Sequence, residues 1–129
     1  MIEKFAIYKC NVCGNMVEVI NPGEGSLVCC GKPMEQLSEK NNDDASQEKH
    51  VPVITMEGEN KTIRVGSIPH PMVKEHYIMF IEAISKDKKH ITRKYLSPEE
   101  TPEIQLNCNK EITAREYCNI HGLWISDNK

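Results

Sequence analysis

The chain has 129 residues, enough for one domain or for one domain with a small appendage. Apolar residues make up 39% and charged residues 27%, as in ordinary globular proteins. The net charge of −3 lacks the strong basic excess with which a chain binds nucleic acid or an anionic membrane, so neither partner is expected.

The first ten residues, MIEKFAIYKC, hold no apolar run after a basic start, so no secretory leader is expected. The longest apolar run, YIMFIEAI, is too short to cross a bilayer. Both features point to a cytoplasmic protein. In that compartment the six cysteines serve as metal ligands or reactive thiols in preference to disulfides.

In chain order, residues 1–37 read as short strands, KFAIYKC, MVEVI and LVCCGKPM, with a turn at NPGEGS. So short a piece buries too little apolar surface to fold alone and calls for a metal or a partner. Residues 38–47, SEKNNDDASQ, carry no apolar side chain larger than alanine and are expected to be a solvated linker. Residues 48–129 are expected to form a second domain. There VPVITM alternates, EGEN turns the chain back into KTIRVGSI, and SKDKK joins HYIMFIEAI to HITRKYL. EIQLNCN and EITAREYC follow. Strands at this spacing with polar turns predict an antiparallel sandwich or barrel. MVKEHY, headed by Pro71, is expected to form about one helical turn.

Four cysteines lie in two close pairs, Cys10 with Cys13 and Cys29 with Cys30. Four thiolates so placed across a small β piece make a tetrahedral site for zinc or for a single iron. Gly14 permits the turn that aims amides at the sulfurs of the first pair. The second pair is unusual, because adjacent side chains diverge in an extended chain and would meet one metal only at a distorted angle.

Of the five histidines, His50 opens the first strand of the second domain, and His70 sits in IPHP on a loop stiffened by two prolines. His76 follows across MVKE, and His121 shares a loop with Cys118. His90, beside SKDKK, reads as a solvated surface residue. Four imidazoles and one thiolate exceed the four ligands of structural zinc, and nitrogen-rich ligation with one sulfur suits iron. Cys108 is expected to be a buried thiol and Trp124 a core residue.

The first block, through YKCNVCGN, CCG and KPM, resembles desulforedoxin, a small rubredoxin-like iron protein. That likeness favours iron there, with zinc still possible. EKHVPVI, VGSIPHPMVKEHYI and EYCNIHGLW, in that order, resemble the motifs of desulfoferrodoxin, the two-iron class of superoxide reductase. The likeness covers essentially the whole chain. It implies an all-β molecule: a desulforedoxin-like N-terminal domain, then a neelaredoxin-like catalytic domain folded as an immunoglobulin-like antiparallel β-sandwich. It implies one iron on the four cysteines. A second, catalytic iron would be held by His50, His70, His76 and His121 in a plane with Cys118 on the axis, leaving a sixth position open. The implied reaction is one-electron reduction of superoxide to hydrogen peroxide in antioxidant defence. The implied electron donor is rubredoxin or a similar protein, and the implied assembly is a homodimer. Lys49 is implied as the cation that draws in the anion and helps deliver protons, and Glu48 as the carboxylate that closes the sixth position of the oxidised iron. Two other readings are open at this point, a superoxide dismutase and a non-catalytic iron electron-transfer protein.

Overall fold

The computed structural model describes residues 2–41, 50–65 and 71–127, the last without its side chain. The described residues contain strands and turns and no helix. The chain divides into two units, Met1–Ser38 and Glu39–Lys129.

In the first unit, β1 (Ile7–Lys9) pairs antiparallel with β2 (Met16–Glu18) and β5 (Glu35–Gln36). A separate hairpin joins β3 (Val28–Cys29) to β4 (Lys32–Pro33). Phe5, Ile7 and Cys10 are its buried apolar residues. So small a core agrees with the need for a metal to hold the unit together.

The second unit is a β-sandwich of the immunoglobulin-like kind. One sheet contains β7 (Pro52–Glu57), β8 (Asn60–Val65) and β11 (Glu103–Asn107) in the order β11-β8-β7. The other runs β10-β9-β12-β13-β6, where β6 is Glu39–Lys40, β9 Ile78–Ser85, β10 Ile91–Tyr95, β12 Ile112–Cys118 and β13 Gly122–Asp127. All these pairings are antiparallel except that of β6, which runs parallel to β13. Ile63, Val65 and Ile104 from the smaller sheet meet Ile81, Ala83, Ile112, Ala114 and Cys118 from the larger one. Burial of such side chains contributes about 25 cal/mol per Å² of apolar surface removed from water.

The other face of the larger sheet carries charge. Arg115 pairs across the ladder with Glu82. Its Nη2 lies 3.1 Å from a Glu82 carboxylate oxygen, and its Nη1 lies 3.2 Å from Glu39. Arg93 approaches Glu82 from β10 at 3.4 Å. Glu82 is fully buried and Arg115 nearly so, so the charges must neutralise one another.

Three features differ from the sequence reading. Glu39 and Lys40, expected in the linker, form β6 and belong to the second unit; residues 42–47 lie outside the described residues. MVKEHY makes no helical turn. Val73 and His76 instead exchange backbone hydrogen bonds of 3.0 Å each, closing a tight β turn. A helical turn would forfeit that pair and the bond from the Ile78 amide to Met72 Sδ at 3.3 Å. Cys108 lies just past β11 and is half-buried rather than buried. Trp124 is buried as expected, but its neighbour is a histidine, described below, and His90 is exposed.

Candidate functional site

The sulfurs of Cys10, Cys13, Cys29 and Cys30 lie within 4.8 Å of one another. Cys13 and Cys29 are 3.5 Å apart, Cys29 and Cys30 3.9 Å. Four sulfurs at about 2.3 Å from one ion would be roughly 3.8 Å apart, so the cluster fits a single tetrahedral metal. Adjacent cysteines meet here because the chain is not extended. Cys30 has φ 54° and Gly31 φ 73°. These two residues form the loop of the β3–β4 hairpin, and a two-residue loop with both φ positive is the hairpin turn whose twist matches its strands. In the first pair, Gly14 at φ 86° lets the Asn15 amide reach Cys13 Sγ at 3.5 Å, and the Cys13 amide reaches Cys10 Sγ at 3.4 Å.

The sulfurs do not ionise alike. Amides of Cys13 and Val12 pull the Cys10 thiol down to about 6, against the opposition of burial. The Cys30 thiol is pushed up to about 12, chiefly by its hydrogen bond to Cys13 and next by that to Cys29. Cys29 is also raised, chiefly by its bond to Cys13. Crowded sulfurs therefore keep protons between them unless a cation replaces those protons, which is how a thiolate metal site behaves.

The second cluster joins His50, His76, Cys118 and His121, whose donor atoms also lie within 4.8 Å of one another. His50 stands just before β7, His76 just before β9, Cys118 ends β12 and His121 just precedes β13. Cys118 pairs with both Ile78 and Gly122, so three strand ends meet at one end of the larger sheet. A register shift between Tyr117 and Cys118 marks a bulge there. Gly122 at φ 88° turns the chain from the Cys118–His121 loop into β13.

The rings of His50 and His121 meet edge to face at 4.7 Å, and those of His76 and His121 at 4.9 Å. Cys118 Sγ is 3.8 Å from His121 Nδ1. Cys118 is fully buried and His50 nearly so, whereas His76 and His121 are half-exposed. The sulfur thus lies on the protein side of the cluster. Asn119 ties the two loops together. Its Oδ1 accepts from the Tyr77 amide at 2.9 Å and its Nδ2 donates to the Glu75 carbonyl at 3.1 Å, on either side of His76. Trp124 stacks on His50 at 4.7 Å and 14°, and its Nε1 donates to the His121 carbonyl at 3.2 Å. Donors about 2.0–2.3 Å from one ion lie roughly 3 Å apart when adjacent and about 4.5 Å when opposite, so this donor set faces one shared centre. His70, Glu48 and Lys49 lie outside the described residues.

Two family models match the chain: the desulfoferrodoxin N-terminal domain over residues 2–37 and desulfoferrodoxin over residues 42–127. The chain belongs to the desulfoferrodoxin family. It is 50% identical to the desulfoferrodoxin of Syntrophotalea carbinolica over 131 aligned residues, covering 98% of this chain and 99% of that one. Among solved structures, the superoxide reductase of Treponema pallidum superposes with a TM-score of 0.74 at 25% identity, over 94% of this chain and 96% of that one. The Giardia intestinalis superoxide reductase of the one-iron kind gives 0.56 at 29% identity, over 64% of this chain and 99% of that one. Nearly the whole Giardia chain is thus matched by about two thirds of this one.

The sequence reading missed Lys40 and did not read β13 as a strand. Leu123 and Ile125 alternate with Trp124 and Ser126, a period of two that marks such a strand. Lys40 gave no signal, being one charge in a polar run.

Proposed function

We propose that the chain is a superoxide reductase, reducing superoxide to hydrogen peroxide by one electron. The observation that carries this reading is the convergence of His50, His76, Cys118 and His121 on one centre with the sulfur buried. We infer that these residues, with His70, hold the catalytic iron, and that Cys10, Cys13, Cys29 and Cys30 hold a second metal, iron or zinc. When bound and reduced, the catalytic iron supplies one electron and an exchangeable position for a small anion.

The chain's own residues do the rest. The buried Cys118 side chain serves as thiolate, and the imidazoles serve as neutral acceptors, the state that ligation requires. Asn119 and Trp124 fix the loops that carry His76, His121 and His50. Lys49 attracts the anion and delivers protons to the leaving peroxide. Glu48 would offer a carboxylate to the oxidised metal. We further assign residues 1–37 to a desulforedoxin-like domain and residues 48–129 to the catalytic domain. The electron donor is a rubredoxin or similar protein, the assembly a homodimer and the location cytoplasmic.

Two results test the assignments. Lys49→Ala is expected to slow the capture of superoxide by about tenfold and to flatten its dependence on ionic strength, measured by pulse radiolysis. A rate unchanged at low salt removes Lys49 from the mechanism. Cys13→Ser is expected to strip the first metal and leave superoxide reduction intact, read from metal content beside turnover. A dead enzyme with its second iron retained shows that the first metal is obligatory.

A further inference from the structure

We propose that Lys40 is a positioning residue of the catalytic centre, a cationic clamp on His121 and Trp124 supplied by strand β6. The strand has two residues, paired with β13 so that Glu39 lies beside Leu123 and Lys40 beside Trp124. Successive side chains of a strand point to opposite faces. Glu39 accordingly reaches Arg115 on one face, and Lys40 extends along the other.

There Lys40 Nζ donates to the His121 carbonyl at 2.9 Å and lies 5.2 Å from the centre of the Trp124 ring. The same carbonyl accepts the indole N–H at 3.2 Å. One ammonium thus holds two elements of the site. One is the backbone of His121, whose ring meets both His50 and His76. The other is the indole stacked on His50. Gly122 lies beside this arrangement, and its φ of +88°, not a lack of space, favours glycine there, since a Cβ would meet Lys40 Nζ at an ordinary 3.7 Å. An ammonium over an indole is attracted by the ring's negative face, and a carbonyl that accepts a charged donor is held more firmly than one that accepts a neutral donor. The groups that orient metal ligands also set how tightly the metal is held. A cation beside the centre disfavours the more highly charged oxidised state, so Lys40 raises the reduction potential of the iron.

This inference rests on the reading of the four side chains as ligands of one iron, and the test separates the two. In Lys40→Ala, Fe²⁺ competition with a chromophoric chelator is expected to show about tenfold weaker binding at the His–Cys centre. The midpoint potential of that iron is expected to fall. In the metal-free protein, acrylamide is expected to quench Trp124, the only tryptophan of the chain, more readily. Lys40→Arg keeps the charge and the donors and is expected to restore all three. Unchanged Fe²⁺ affinity and unchanged quenching in Lys40→Ala overturn the clamp. An unsubstituted protein that takes iron only at its four cysteines overturns the ligand assignment instead, while the quenching of the metal-free protein still decides for or against the clamp.

Discussion

Replacing Cys118 by serine is expected to lower superoxide reduction by about a hundredfold or more and to weaken iron binding at the second centre at least as much as loss of an orienting partner would. Cys118 is fully buried and is the only sulfur among the four clustered donors of that centre. A serine hydroxyl has nearly the same shape but does not ionise near neutral pH, so the anionic ligand disappears while the packing stays. The cost to the fold is the burial of one hydroxyl, about 1–3 kcal/mol. The four-cysteine cluster belongs to the other unit and provides an internal control. Metal analysis and absorption spectra are expected to show the first metal kept and the sulfur-to-iron band of the second lost. Retention of that band in the serine variant rules Cys118 out as a ligand.

The second large effect concerns stability. Arg115→Ala is expected to cost about 3–5 kcal/mol, because it leaves the fully buried Glu82 carboxylate without its nearer guanidinium. Arg93, at 3.4 Å, cannot serve as a full replacement from its more exposed position. The same change also removes the ion pair that holds the Glu39 side chain of β6. Exchanging Arg115 and Glu82 together for apolar residues of similar volume is expected to recover most of the loss, since a buried pair is about as stable as well-packed hydrocarbon. Denaturant unfolding of the single and double variants measures both. A loss below about 1 kcal/mol in the single variant would mean that water or other groups already screen Glu82.

Much of the fold was legible because alternation is a strong local signal. Val53 to Met56 lies in a segment read as a strand from its alternation, Thr62 to Val65 in the one read as its return, and Ile78 to Ile84 in one read as a strand from its apolar run, whereas Glu57 and Ser85 were read as turn residues. What escaped depends on contacts made far along the chain. Glu39 and Lys40 become a strand only because β13 offers a free edge, and no local composition announces that. MVKEHY has a sequence that starts helices, yet the mutual bonds of Val73 and His76 and the Asn119 latch determine its shape. The adjacency of Cys29 and Cys30 looked like an obstacle to a shared metal. It is resolved by a turn with two positive φ angles, which the glycine at 31 hinted at and the cysteine at 30 did not.

The site itself was legible at the level of residue type. Histidines and a cysteine placed at strand ends are the pattern of a centre built on loops held by a rigid sandwich. Their supporting residues were less so. Trp124 looks like any buried aromatic until its ring is seen against His50, and Asn119 looks like any turn residue until its amide bridges Glu75 and Tyr77.

The most direct test generates a pulse of superoxide in a solution of the fully reduced, iron-loaded protein and measures peroxide, dioxygen and the oxidation of the catalytic iron together. Fast oxidation of one iron per superoxide is expected, with one hydrogen peroxide for each and no dioxygen. Release of one dioxygen for every two superoxide ions would make the protein a dismutase, and an iron that stays reduced would make it an inert carrier.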